Sequence, residues 1–124
     1  MSEHAEIVIV GAGVQGASLA FHLARRGAEV LVVEREVVGA GATGRSSGLV
    51  RMHYDVESEA RLAHRSLPYF QRWDELVGAG DPGFVRTGFL QLVAPPLAPA
   101  LRANVETHRR IGIDSRVVGP DEVA

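Results

Sequence analysis

Six residues, Gly11-Ala12-Gly13-Val14-Gln15-Gly16, most constrain what this chain can fold into. They follow a continuous apolar run, Ile7-Val8-Ile9-Val10, and open a segment with helical periodicity. Residues without a Cβ allow a tight turn and let a ligand touch the backbone where a strand runs into a helix. In such a unit the first glycine makes the turn, the second admits a pyrophosphate, and the third lets helix and strand pack closely. The helix start then aims unpaired N–H groups and the positive end of its dipole at the phosphates. A second apolar run, Val30-Leu31-Val32-Val33, ends at Glu34, 18 residues beyond Gly16. That is close to the spacing of about 20 expected for a carboxylate that takes a ribose hydroxyl. The pattern predicts a strand over 6–10, a helix over 14–26 capped by Gly27, and a parallel strand over 29–34. The first strand reads as buried on both faces.

A second glycine-rich stretch follows at 39–48, Gly39-Ala40-Gly41-Ala42-Thr43-Gly44-Arg45-Ser46-Ser47-Gly48. Four glycines in ten residues, with three hydroxyls and an arginine, suit an anion cradle; the alternative is a flexible linker. Residues 55–77 predict a long helix with Leu62, Tyr69, Trp73 and Leu76 on one stripe, kinked or split by Pro68. Phe84-Val85-Arg86 and Phe89 to Val93 predict a hairpin around Thr87-Gly88. A helix is expected over 100–111, closed by Gly112, then a short strand at 115–118 and a helix start at Gly119-Pro120. His22, His64 and His108 read as surface residues on helices. No two histidines have metal-site spacing on one helix face.

Composition narrows the partners. The 124 residues suit one domain, and 46% apolar with 23% charged residues is a globular balance. A net charge of -2 argues against nucleic acid or an anionic membrane as partner. With no cysteine, thiolate metal sites, disulfides and a thiol nucleophile are excluded from these residues. No apolar run approaches a membrane span and the polar start is unlike a secretory signal, so a cytoplasmic location is the default expectation.

The residues GAGVQG at 11–16, VVER at 32–35 and GATGRSSGLVRMHY at 41–54, with RTGFLQLV at 86–93, resemble the FAD-dependent oxidoreductases that include D-amino acid oxidase, glycine oxidase, dimethylglycine dehydrogenase and the β subunit of sarcosine oxidase. The resemblance implies an α/β fold: a Rossmann-like FAD-binding unit in residues 1–83, with 84–124 beginning an α+β substrate domain. Gly11, Gly13, Val14, Gln15 and Gly16 would hold the FAD pyrophosphate and Glu34 the adenosine ribose, with Arg35 at the adenine end. Thr43, Gly44, Arg45, Ser46, Ser47 and Gly48 would line the pyrophosphate, ribityl and flavin side. Arg51 would act near the flavin, stabilising its reduced form or pairing with a substrate carboxylate; the alternative is a surface arginine paired with a neighbouring carboxylate. Several amine-oxidising relatives carry a flavin-linked histidine where Arg45 stands, and His53 lies too far along to replace it. Noncovalent FAD is therefore expected, unless a residue outside this segment makes the bond.

The implied activity is oxidation of the C–N bond of a small amino acid or N-methylated amine by hydride transfer to FAD. The resemblance covers only the N-terminal part of such an enzyme. These 124 residues alone are expected to be inactive, with the pocket completed by further chain or another subunit. A nicotinamide-dependent dehydrogenase and a noncatalytic nucleotide-binding module remain the alternatives.

Overall fold

Four β-branched residues in a row favour an extended chain over a helix, and Ile7–Val10 forms strand β1. Val30–Val33 forms β2, parallel to β1 with Ile7 opposite Val30 and Val10 opposite Val33. Between them runs helix α1, Val14–Ala24. Gly27, at φ +88°, ends that crossover in the left-handed conformation expected of it. The computed structural model describes residues 4–123.

The sheet departs from the expected burial. Ile9 is 7% exposed, whereas Val8 is 56% and Val10 86% exposed. Side chains alternate across a strand, and a single crossover helix covers a single face. The other face, with Val8, Val10, Leu31 and Val33, is exposed.

The packing of the described residues divides into two units, one ending at Leu49 and the other beginning at Val50. The second unit is built on α2, Glu57–Gln71, the short α3, Trp73–Leu76, and α4, Ala98–Arg110, which follows a 3-10 turn over Pro95–Leu97. Ala60 of α2 and Val105 and His108 of α4 are buried, as is Ile113 just beyond α4. Arg110 donates to Glu57 Oε2 at 2.7 Å, and Asn104 donates to Asp55 Oδ1 at 2.6 Å. Gly112, at φ +91°, closes α4.

The helix expected over 55–77 is split, but not at Pro68. α2 runs through the proline, and the Arg72 amide still donates to Pro68 O at 2.8 Å. The break is at Arg72, with φ -127° and ψ 42°, the residue that precedes the first turn of α3; its guanidinium donates to the Glu75 carboxylate inside that turn. The hairpin expected over 84–93 and the strand expected at 115–118 do not form; β1 and β2 are the only strands among the described residues. Both segments have strand-like composition and no partner ladder, and a strand needs partners for its N–H and C=O groups. The expected helix start at Gly119-Pro120 is a 3-10 turn, Pro120–Glu122. No helix among the described residues is long and apolar enough to cross a membrane.

Candidate cofactor-binding site

In the first unit, the turn from β1 to α1 depends on Gly11, which sits at φ +102° while its amide donates to Val33 O at 2.7 Å. Ala12, next in line, is 7% exposed. Gly13 is the N-cap of α1 and has no side chain to close the helix start. Thr43 reaches across instead: its Oγ1 accepts from the Val14 amide at 2.9 Å, and a Cβ on Gly13 would lie 3.1 Å from that oxygen. Gly16 serves helix–strand packing. A Cβ there would lie 2.0 Å from Gly11 O and 3.3 Å from Ile9 Cγ2. The amides of Gln15 and Gly16 have no acceptor among the described residues. Such donors at the positive end of a helix suit an anion.

Glu34 closes the same site from β2. Its Oε2 accepts from the Ala12 amide at 2.8 Å and its Oε1 from the Glu36 amide at 3.0 Å. These amides, Ala12's first, hold its carboxyl below the usual carboxylate range. The bond to Ala12 was not foreseen from sequence, and it places the acid beside the βα turn. A carboxylate has about four acceptor positions, so two amides leave room for ribose hydroxyls. Arg35 is exposed and pairs with Glu36 at 3.0 Å, a contact of little energetic weight.

The loop at 39–48 is tied to this turn rather than hanging as a linker. The Gly39 amide donates to Ala12 O at 3.0 Å, the Gly44 amide to Gly39 O at 2.8 Å, and the Ser46 amide to Thr43 O at 3.2 Å. Gly48 donates to Ser46 Oγ at 3.2 Å. The residues from Gly41 to Leu49, Arg45 and Ser47 among them, are exposed. A Cβ on Gly44 would lie 2.5 Å from Gly39 O, so the loop is compact because this residue is glycine.

Arg51 belongs to the second unit. It is half-buried, makes no ion pair among the described residues, and lies over the Tyr54 and Phe89 rings at 5.3 and 5.6 Å. With His53, Leu101 and Val105 it lines a cleft of about 800 Å³. Burial, followed by the charge of His108, holds the His53 imidazole below the usual histidine range, against the pull of Asp55, whose Oδ1 is 3.9 Å from Nε2.

Two of the histidines read as surface residues are not. His108 is 1% exposed. Its Nε2 stands 3.1 Å from Tyr54 O, and because a carbonyl only accepts, this nitrogen carries the proton. The Nδ1 of His64 is buried and has no hydrogen-bond partner among the described residues. The signal for His108 was available in its spacing from Leu101 and Val105, which puts all three on one helical stripe. No cluster of His, Asp and Glu among the described residues is arranged to hold a metal.

The first unit therefore offers amide donors for a pyrophosphate, a carboxylate with free lone pairs for a ribose and a glycine loop open to solvent, and these fit a dinucleotide. The model of the FAD dependent oxidoreductases matches residues 6–124. The chain is 33% identical over 90 residues to 4-methylaminobutanoate oxidase (formaldehyde-forming) of Paenarthrobacter nicotinovorans, covering 72% of this chain and 11% of that protein. It is 31% identical over 96 residues to mitochondrial dimethylglycine dehydrogenase of Mus musculus, covering 77% and 11%. The solved L-proline dehydrogenase from P.horikoshii superposes with a TM-score of 0.86 at 30% identity, over 99% of this chain and 32% of that one. The chain thus spans about a tenth of the length of the first two relatives. The dinucleotide is FAD, in place of the nicotinamide alternative, and the chain belongs to the family of FAD-dependent oxidoreductases.

Proposed function

We propose that this chain is the FAD-binding part of an enzyme that oxidises the C–N bond of a small amino acid or N-methylated amine. The observation that carries the reading is the Glu34 carboxylate bonded to the Ala12 amide at 2.8 Å, which sets an acceptor for ribose beside the donors at the start of α1. The choice of substrate class rests on the relatives, whose names specify a methylaminobutanoate, dimethylglycine and proline. When bound, the flavin supplies the two-electron oxidation.

The chain's own residues bind and orient. Gly11, Gly13, Val14, Gln15 and Gly16 present the backbone to the pyrophosphate, and Glu34 takes the ribose, with Arg35 beside the adenine. Thr43, Gly44, Arg45, Ser46, Ser47 and Gly48 form the second wall. Arg51 takes the substrate carboxylate through its N–H edge. Its lack of an ion pair among the described residues supports that role over a surface pairing.

Two outcomes test this reading in the full-length protein. Arg51→Ala is expected to lower kcat/KM for a carboxylate-bearing amine roughly 100-fold, the weight of a lost charged, bidentate contact; wild-type kinetics would refute the assignment. Nothing in these residues links the flavin covalently: Arg45 stands where the resemblance puts a flavin-linked histidine, and the 124 residues include no cysteine. Acid precipitation is expected to leave the yellow colour in the supernatant, and a coloured pellet would show a covalent link.

A further inference from the structure

Arg51 sits in a closed ring of contacts drawn from three separate stretches of the second unit. Its guanidinium carbon lies 5.3 Å from the centre of the Tyr54 ring and 5.6 Å from that of Phe89. Phe89 is 6.2 Å from the His53 ring, and His53 stands edge-on to His108 at 5.0 Å. His108 closes the ring through its bond to Tyr54 O at 3.1 Å. The segments 51–54 and α4 are thus pinned together by a part-buried hydrogen bond. Phe89 comes from the stretch 84–93, which has no secondary structure.

No carboxylate among the described residues orients Arg51, so the two rings do. A cation is drawn to the negative face of an aromatic ring. A guanidinium held there keeps its N–H edge for a planar, bidentate partner. We propose that Phe89 is a positioning residue for Arg51: with Tyr54 it fixes the guanidinium so that its N–H edge meets a substrate carboxylate. Recognition of the carboxylate then depends on residues from both 51–54 and 84–93. The inference rests on the role given to Arg51 above.

The test uses the full-length flavoenzyme, a carboxylate-bearing substrate and the matching amine without the carboxylate. Phe89→Leu removes the ring and keeps an apolar side chain. It is expected to raise KM for the carboxylate substrate roughly five- to tenfold, the weight of a half-buried cation–π contact, with a smaller change in kcat and no change in KM for the plain amine. The dissociation constant of acetate, read from the flavin spectrum, is expected to rise by the same factor. Phe89→Tyr keeps the ring and is expected to restore both values. In an Arg51→Ala background, Phe89→Leu is expected to add nothing. Unchanged KM and acetate binding in Phe89→Leu would overturn the proposal, as would an equal rise in KM for both substrates. A wild-type enzyme that neither oxidises the carboxylate substrate nor binds acetate would remove the reading of Arg51 itself, and this inference with it.

Discussion

Gly16→Ala is expected to destroy FAD binding by unseating α1 from β1. The new Cβ would lie 2.0 Å from Gly11 O and 3.1 Å from Gly11 C, backbone atoms that cannot swing aside as a side chain can. Ala would favour the helix by roughly 1 kcal/mol over Gly. Overpacking typically costs about 1–3 kcal/mol, and more where backbone meets backbone, so the clash wins. The unit has little reserve, because Ile9 and Ala12 are its only buried residues among those described. Relief requires α1 to move off Ile9, which carries the Gln15 and Gly16 amides away from the pyrophosphate. A drop in melting temperature and a loss of FAD affinity of roughly 100-fold or more are expected. Gly41→Ala is the control, since nothing lies within 4 Å of a Cβ there. A Gly16→Ala protein that melts and binds flavin like the wild type would show that the glycine does not set this packing.

Glu34→Ala is expected to weaken FAD roughly tenfold or more through two losses at once. The ribose loses its acceptor, and the Ala12 amide loses the partner that holds the turn. Glu34→Gln keeps one acceptor oxygen and is expected to fall between Ala and wild type. The pH dependence has a defined sign. The amides of Ala12 and Glu36 hold the carboxyl below the usual carboxylate range, so its contribution to stability is fully present above the pKa of the unfolded chain and is lost as pH falls through the lower, folded-state pKa. FAD retention in the wild type is expected to fall over the same acidic range, and in Glu34→Ala that component is expected to be missing. Equal FAD affinity in Glu34→Ala and wild type would remove this residue from the site.

The βαβ unit was legible because its signals are local: β-branched runs, glycines at fixed spacing, and an acid at the end of β2. The same signals placed Gly11, Gly16 and Gly27 correctly, since each answers to backbone geometry within a few residues. What escaped depends on partners distant in sequence. The exposure of Val8 and Val10 follows from having one crossover helix, which a run of apolar letters does not reveal. Residues 84–93 have the composition of a hairpin and lack a ladder. The break in the long helix moved from Pro68 to Arg72 because Pro68 still accepts from the Arg72 amide and Glu75 holds the Arg72 side chain. Charged neighbours disguised His108, although its helical spacing from Val105 marked it as buried. The bond from Ala12 to Glu34 spans 22 residues and follows only from the parallel register of the two strands.

The most direct measurement is the visible spectrum of the purified full-length protein before and after anaerobic addition of an N-methylated amino acid or proline. Flavin bands that bleach on addition, and that are missing from the Gly16→Ala protein, are the expected result. A wild-type protein that carries no flavin and takes up none when FAD is added would contradict the assignment of the site at its root.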